Sequence, residues 1–175
     1  MPELHLTSID LAQPEDEPTL WLMLTFAASM SEGAESAIRS AKRDAYLRSY
    51  VEGWGRDPDD LGLVARDGSG APVGAAWVRR KPSGSPFDFG DESEPELSIG
   101  VLPNCRGQGV RRRLLRALLA ECEGRFLSVV LSVRDENPAV ALYAREGFSE
   151  IERIRNRVGG FSLVMRRLLA RPIGE

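Results

Sequence analysis

One stretch of this sequence, residues 95–119, constrains the fold most, because it changes from an alternating to a helical pattern within a few residues. Residues 97–102 predict a strand, which Pro103 and Asn104 end. A glycine-containing turn follows, and then a helix whose apolar residues repeat at helical spacing. A strand, a glycine turn and a helix in this order are typical of a layered protein that contains both helices and strands.

The turn in this stretch has the features of an anion-binding site. Gly107 and Gly109 let the backbone turn tightly and come close to a ligand. The first turn of a helix leaves backbone N–H groups unpaired, and these groups together with the helix dipole favour phosphate. A P-loop would need a Gly-Lys-Ser/Thr ending, and a dinucleotide-binding turn would need a third glycine. The residues alone leave a plain strand-to-helix turn with a solvated arginine face as the alternative.

A second stretch, Asn137-Pro-Ala-Val-Ala-Leu-Tyr-Ala-Arg-Glu-Gly-Phe148, follows the next predicted strand. Together the two stretches resemble the GNAT family, the GCN5-related N-acetyltransferases. The first is similar to that family's acetyl-CoA loop, Gln/Arg-x-x-Gly-x-Gly/Ala after a strand of the E-L-x-I-x-V type. The second is similar to its Asn-x-x-Ala-x-x-Leu-Tyr-x-x-x-Gly-Phe signature. The resemblance covers residues 61–168, and Arg111 stands where the family has Gly or Ala.

The resemblance implies three side chains that take part in acyl transfer. Tyr143 matches the tyrosine whose phenol lies near the coenzyme sulfur, which implies an acid for the leaving thiolate. Asn137 is similar to the asparagine that binds the pantetheine arm, and Glu96 to a glutamate that takes the amine proton, often through water. From the residues alone the alternatives are a packed helix tyrosine, a helix cap at Asn137 and a solvated edge glutamate at position 96.

The same resemblance implies how acetyl-CoA binds, with CoA as the product and no metal. The main chain at Ile99 and Val101 is expected to hold pantetheine like an added strand, and the Val101 N–H to polarise the thioester carbonyl. The pyrophosphate is expected on the loop formed by Arg106, Gly107, Gln108, Gly109, Val110 and Arg111.

The implied function is an acetyl-CoA-dependent N-acetyltransferase that moves the acetyl group to a primary amine by direct attack in a ternary complex. The acceptor is a small-molecule or peptide amine, expected near the first two helices and a predicted acidic loop at residues 81–94. The alternative function is a non-catalytic acyl-CoA-binding or sensing module.

Composition narrows the class of protein further. The length of 175 residues suits one domain, 1–175, with its own core, and the net charge of −3 argues against a nucleic-acid partner. Cys105 and Cys122 are too few for a disulfide framework, and with a single histidine, His5, far away in sequence no Cys–His pair is evident. Both cysteines are therefore predicted to be structural. The sequence has neither a signal peptide nor an apolar run that could span a membrane, so a cytoplasmic location without a membrane partner is expected.

The pattern along the chain predicts the order β-α-α-β-β-β-α-β-α-β-β. This is an α/β (α+β) arrangement, and the resemblance implies a GNAT-like mixed, mostly antiparallel central sheet flanked by helices. The first helix is apolar almost all round, which predicts deep packing or a homodimer interface. The predicted strands are 4–9, 61–66, 73–80, 97–102, 127–133, 151–157 and 161–169, and the predicted helices are 18–30, 35–54, one that follows Gly109, and one from Pro138 to Gly147.

Overall fold

The structure is a computed structural model that describes residues 6–80 and 94–170. These ranges contain seven strands, five α-helices and two short 3-10 helices, Pro14–Asp16 and Pro103–Cys105. The strands are β1 Leu6–Leu11, β2 Leu61–Asp67, β3 Pro72–Arg80, β4 Pro95–Val101, β5 Ser128–Arg134, β6 Ser149–Arg155 and β7 Phe161–Leu168. The helices are α1 Glu17–Ala27, α2 Ala34–Arg43, α3 Ala45–Arg48, α4 Val110–Cys122 and α5 Ala139–Arg145. The predicted start of the first strand, with His5, and nearly all of the predicted loop at 81–94 lie outside the described residues.

The seven strands form one sheet in the order β1-β2-β3-β4-β5-β7-β6. The pairs β1–β2, β2–β3, β5–β7 and β6–β7 are antiparallel, whereas β4 and β5 are parallel. Parallel neighbours need a crossover, and α4 is the helix that connects β4 to β5. The predicted mixed, mostly antiparallel sheet flanked by helices is confirmed, and the order of strands and α-helices differs only by one additional short helix.

The chain divides into two compact units. The first comprises Met1–Arg79 with Ser98–Ala120, and the second comprises Arg80–Leu97 with Glu121–Glu175. The first therefore contains α1, α2 and α3, and the second contains α5 and the three strands β5, β6 and β7. The single domain expected over residues 1–175 stays a prediction.

The core of the first unit explains the apolar first helix. Leu20, Met23 and Leu24 of α1 are buried in one cluster with Trp54 and Trp77. The Trp77 ring is fully buried, and its indole Nε1 donates to the Tyr50 carbonyl oxygen at 2.9 Å. The apolar faces of α1 are thus packed within this unit, in agreement with the prediction of deep packing. The homodimer stays a prediction.

The prediction of one long helix over residues 35–54 is wrong, because the helix is interrupted at Asp44. This residue has an extended backbone, with φ −89° and ψ 113°, and its carboxylate accepts hydrogen bonds from the backbone N–H groups of Tyr46 and Leu47. The Asp44 side chain accepts from the first N–H groups of the next helix, which in a continuous helix would bond to carbonyl oxygens of the preceding turn. A new helix therefore starts at this residue and the previous one ends there. Two shorter helices, α2 and α3, result.

Arg79 holds the turns that follow α3. Its guanidinium donates to both carboxylate oxygens of Asp60, at 2.9 and 3.1 Å, and to the carbonyl oxygens of Ser49, Glu52 and Gly53. The Asp60 side chain is only 1% exposed. A buried carboxylate is tolerated when a cation pairs with it and hydrogen bonds satisfy both partners, as here.

Both predicted hairpins are confirmed. The first turn lies between β2 and β3, where the Asp67 carboxylate accepts from the backbone N–H groups of Ser69 and Ala71. The second connects β6 to β7. Strand β6 is an outer strand of the sheet, six of its seven residues are exposed, and its register to β7 shifts between Glu150 and Glu152.

Candidate active site

Strand β4 is the element that leads into the predicted coenzyme loop, and all seven of its residues are buried. Gly100 lies against α1. A Cβ atom built at this position would overlap the Met23 carbonyl oxygen and lie 3.1 Å from the Met23 Cα atom. A glycine at position 100 is therefore required for β4 and α1 to approach this closely.

The pairing between β4 and β5 is short. The register joins the two strands at one position, Glu96 opposite Val130, whereas β5 and β7 are joined at seven. From Leu97 onward, β4 continues to Val101 without a further register pair to β5 among the described residues. The main chain at Ile99 and Val101 is therefore not engaged in the β4–β5 ladder.

The loop between β4 and α4 makes the tight backbone turn that its two glycines predict. Gly107 and Gly109 have φ values of +73° and +78°, a conformation that side chains disfavour. A Cβ atom built at either glycine would meet no described atom within 4 Å. The Arg113 N–H donates to the Gly109 carbonyl oxygen, so the first helical turn begins directly after the loop. A ligand can therefore reach the backbone here.

The side chains of this loop are fixed mainly at its ends. Val110 is buried and anchors the start of α4, and Gln108 donates to the Asn104 carbonyl oxygen at 3.2 Å. The Arg106 guanidinium lies over the Phe26 ring, 5.8 Å from its centroid. Arg111 is half-buried. The loop residues thus form one continuous segment, and their role toward a pyrophosphate stays a prediction.

Cys105 lies directly before this segment and Cys122 at the far end of α4, and both are poor nucleophiles. Cys105 and Cys122 are both buried and not in a disulfide. Burial raises the pKa of the Cys105 thiol, and it raises the pKa of Cys122 to about 12. Since the thiolate is the reactive form, these environments agree with the structural roles predicted for both residues.

The second signature forms the loop before α5 and the helix itself. The Asn137 side-chain oxygen accepts from the Ala139 N–H at 2.9 Å, so the predicted helix-capping role is present. The helix begins at Ala139, one residue later than predicted. Tyr143 is 5% exposed and its ring packs edge-on against Phe148, with the centroids 5.9 Å apart. Gly147 ends the helix with φ +90°, as predicted.

The alternative of a solvated edge glutamate at position 96 is wrong. Glu96 is 7% exposed, because β4 is covered on both faces and not on one as strand alternation suggested. Strand β5 departs from its prediction for the same reason. It starts at Ser128, Leu127 is exposed, and Ser128, Val129 and Val130 are all buried. The Glu96 carboxylate is therefore shielded from bulk water, and its role as a base stays a prediction.

Glu94 was expected in an acidic, solvated loop, and this expectation is also wrong. Its carboxylate accepts from the Ser128 hydroxyl at 2.5 Å and from Arg166 Nε and Nη2 at 2.5 and 2.8 Å. The hydrogen bond to Glu94 raises the pKa of Arg166. Sequence patterns missed this cluster because Arg166 lies 72 residues away from Glu94.

The predicted site residues are divided between the two units. Ile99, Val101 and the loop belong to the first unit, and Glu96, Asn137 and Tyr143 to the second. In the ranges 6–80 and 94–170, no cluster of three or more His, Cys, Asp or Glu side chains could hold a metal ion. None of the helices in those ranges is long and apolar enough to cross a membrane.

Comparison with known proteins gives both curated relatives and solved structures. The mycothiol acetyltransferase of Saccharomonospora viridis is 32% identical over 119 residues, which are 66% of this chain and 35% of that protein. The N-alpha-acetyltransferase RimI of Mycobacterium tuberculosis is 39% identical over 95 residues, 54% of this chain and 55% of that protein. The chain thus matches from about a third to about half of the length of these relatives.

The solved structures are similar over nearly the whole chain. The histone acetyltransferase HPA2 and related acetyltransferase from Corynebacterium glutamicum has a TM-score of 0.69 at 20% identity, covering 97% of this chain and 99% of that one. The yncA structure from Salmonella typhimurium, solved with its cofactor acetyl-CoA, has a TM-score of 0.63 at 18% identity and covers 96% of both chains. At these identities the likeness establishes the fold.

A family description matches in addition to these individual proteins. The Acetyltransferase (GNAT) family matches residues 27–148, a range that contains β4, the glycine turn and the second signature up to Phe148. With both stretches inside that match, this chain belongs to the acetyltransferase (GNAT) family.

Proposed function

We propose that this chain is an acetyl-CoA-dependent N-acetyltransferase that transfers the acetyl group to a primary amine by direct attack in a ternary complex. The observation that carries the proposal is the open glycine turn between β4 and α4. Two further observations support it. The S. typhimurium relative was solved with acetyl-CoA, and the M. tuberculosis relative is named an N-alpha-acetyltransferase.

The residues of this chain fit an acyl-CoA in two places. The backbone N–H groups between Arg106 and Arg111 would hold the pyrophosphate, because added Cβ atoms at Gly107 and Gly109 would meet no described atom within 4 Å. The main chain of β4 at Ile99 and Val101 would hold the pantetheine arm, because among the described residues the register between β4 and β5 joins Glu96 to Val130 and no residue further along β4. Asn137 would contribute a further polar contact. When bound, the coenzyme supplies an activated acetyl group as a thioester.

Three groups of the chain would then act on the reaction. Glu96 would take the proton from the ammonium form of the acceptor, directly or through water, so that a neutral amine can attack. The Val101 N–H would donate to the carbonyl oxygen as negative charge develops on it. Tyr143 would protonate the departing thiolate. Direct attack needs no nucleophile from the protein, in keeping with the raised pKa values of Cys105 and Cys122.

The acceptor is proposed to be a small-molecule or peptide amine. The relatives named above act, by their names, on mycothiol and on an N-alpha position, so they do not single out one acceptor class. We also propose a cytoplasmic location and a homodimer, and light scattering across a concentration series would test the homodimer.

The proposal is tested with a panel of amines and acceptor peptides and acetyl-CoA, with release of free thiol as the readout. Mass spectrometry of metabolites that co-purify with the protein guides the panel. Turnover on at least one amine supports the transferase. Tight CoA binding without turnover on the whole panel would favour the sensing module instead.

The same assay tests whether Tyr143 is the acid that protonates the leaving thiolate. Tyr143→Phe removes one hydroxyl and keeps the ring on Phe148, so the KM for acetyl-CoA should stay within about twofold of the wild-type value. The kcat should fall by about a hundredfold, the lower end of general acid catalysis. Ser69→Ala is the control, because it removes a hydroxyl from the turn between β2 and β3, outside the proposed coenzyme and acceptor sites, and it should leave kcat unchanged. A Tyr143→Phe enzyme with wild-type kcat, under conditions where chemistry limits the rate, would sink the assignment.

A further inference from the structure

A row of side chains crosses the sheet of the second unit at the position where β4 pairs with β5. Glu96 is opposite Val130 on β5, and Val130 is opposite Arg166 on β7. Residues directly opposite each other on neighbouring strands point to the same face of a sheet. Glu96, Val130 and Arg166 therefore share one face, and so does Glu94, two residues before Glu96.

The Arg166 side chain reaches along this face toward β4. Its backbone is two strand spacings from β4, about 10 Å, yet its guanidinium binds both carboxylate oxygens of Glu94. Ser128 on β5 donates to the same carboxylate. The Glu94 side chain is 9% exposed and that of Arg166 is 30% exposed. This bidentate ion pair, together with the Ser128 hydrogen bond, therefore connects the start of β4 to both β5 and β7.

The neighbouring arginine on β7, Arg167, makes its contact on the other face of the sheet. Arg167 points to the opposite face, where its Nη1 donates to the Glu146 carbonyl oxygen at the end of α5, at 2.7 Å. Because α5 is held on that face, it does not take part in the Arg166–Glu94 pair. Arg166 and Arg167 thus serve opposite faces of the same strand.

We propose that Arg166 and Glu94 are positioning residues for Glu96, an inference that rests on the proposed function in which Glu96 is the base. The pair fixes the first residues of β4 beside Glu96, which is in register with Val130 of β5. It also holds a positive and a negative charge on the face of the sheet to which the Glu96 side chain points. Neither residue needs to touch the substrates for this role.

Other charged groups near this face are few among the described residues. On β5 the residues that share the face of Glu96 are Ser128, Val130, Ser132 and Arg134, of which only Arg134, in the last position of the strand, carries a charge. Strand β3, the other neighbour of β4, ends in Arg79 and Arg80, and Asp60 neutralises Arg79. Helix α1, which packs on Gly100, has one charged residue, Glu17, in its first turn.

The two members of the pair should act on Glu96 in opposite directions. Glu94→Gln leaves the Arg166 cation without its neutralising carboxylate, which favours the ionised form of Glu96. Arg166→Gln leaves the Glu94 carboxylate beside Glu96, and two like charges disfavour ionisation. The midpoint of the Glu96 titration should therefore fall by on the order of one pH unit in the first variant and rise by a similar amount in the second.

The experiment is a carbon NMR titration of the protein with isotope-labelled glutamate side-chain carboxyls, with Glu96 assigned from the signal lost in Glu96→Gln. The double variant Glu94→Gln/Arg166→Gln should return the Glu96 midpoint to near the wild-type value. Arg167→Gln is the matched control and should leave it unchanged. If one single variant does not fold, the other single variant and the double variant still decide the result.

The outcomes separate this inference from the proposed function. Opposite shifts in the two single variants support the positioning pair, since loss of a merely structural contact would shift both midpoints in the same direction or neither. Unchanged midpoints, or shifts of the same sign, would overturn it. A wild-type protein that transfers no acetyl group would refute the proposed function alone, because the titration does not depend on turnover.

Discussion

A methyl group added at Gly100 tests how tightly β4 and α1 are held together. Gly100→Ala places a Cβ atom where the Met23 carbonyl group of α1 already lies. A flexible side chain could rotate away from such an overlap, but backbone atoms in the middle of a helix can move only if the helix moves. Either α1 or β4 must therefore shift, in the part of the chain where Ile99 and Val101 are proposed to hold the coenzyme.

The magnitude follows from the kind of atom that is displaced. Overpacking a well-packed core typically costs about 1–3 kcal/mol, and a backbone obstacle places Gly100→Ala at the upper end, about 3 kcal/mol. For a chain of this size each kcal/mol shifts the melting temperature by roughly 2–4 °C, so a decrease of roughly 6–12 °C is expected. Urea unfolding followed by circular dichroism measures the free energy of unfolding, and a thermal scan measures the shift.

The control is Gly33→Ala, at the residue before α2. Its backbone, with φ −59° and ψ 150°, suits alanine, and a Cβ atom there would meet no described atom within 4 Å. Its free energy of unfolding should stay within about 1 kcal/mol of the wild-type value. If Gly100→Ala unfolds at the same urea concentration as the Gly33→Ala control, the close approach of β4 and α1 is not as described.

Three further predictions concern the glycine turn, the end of α1 and the thiols. Gly109→Glu should abolish CoA binding in calorimetry, because a carboxylate enters the proposed phosphate site. The control is Gly159→Glu, since Gly159 also has a positive φ and a Cβ atom there would meet no described atom within 4 Å. Unchanged affinity of a folded Gly109→Glu protein would exclude the loop as the phosphate site. Ser29 has φ +54° directly after α1, so Ser29→Gly should stabilise the protein by a few tenths to about 1 kcal/mol in urea unfolding, whereas Ser29→Ala should give no gain. Because the pKa of Cys122 is raised to about 12, its thiolate is scarce near neutral pH and iodoacetamide should modify it only in denaturant; stoichiometric labelling of the folded protein in mass spectrometry would contradict this.

The elements that local patterns control were predictable from the sequence. The strand over β4, the glycine turn and the α4 helix follow from alternation, from two glycines and from helical spacing, and all three lie where they were expected. The hairpin at Asp67 follows in the same way, because an aspartate side chain can satisfy the N–H groups of its own turn. The cap at Asn137 is another signal of this local kind.

Features that depend on side-chain competition or on distant residues were not predictable. The break at Asp44 was missed because the apolar spacing continues through it, and periodicity does not show that one carboxylate captures two backbone N–H groups. The burial of Glu96 depends on what covers the second face of β4, which the alternation within one strand cannot reveal. The Glu94–Arg166 pair joins parts of the chain that share no pattern at all.

The outer strand β6 has a consequence for how this protein behaves at high concentration. An exposed strand edge is a template on which a second chain can add, and this is a common start of aggregation. Here the strand carries two acids and two arginines, Glu150, Glu152, Arg153 and Arg155, and the register shift between Glu150 and Glu152 interrupts a flat row of hydrogen-bonding groups. Both features discourage the growth of a sheet between molecules, so β6 protects the folded chain from polymerising through its own edge.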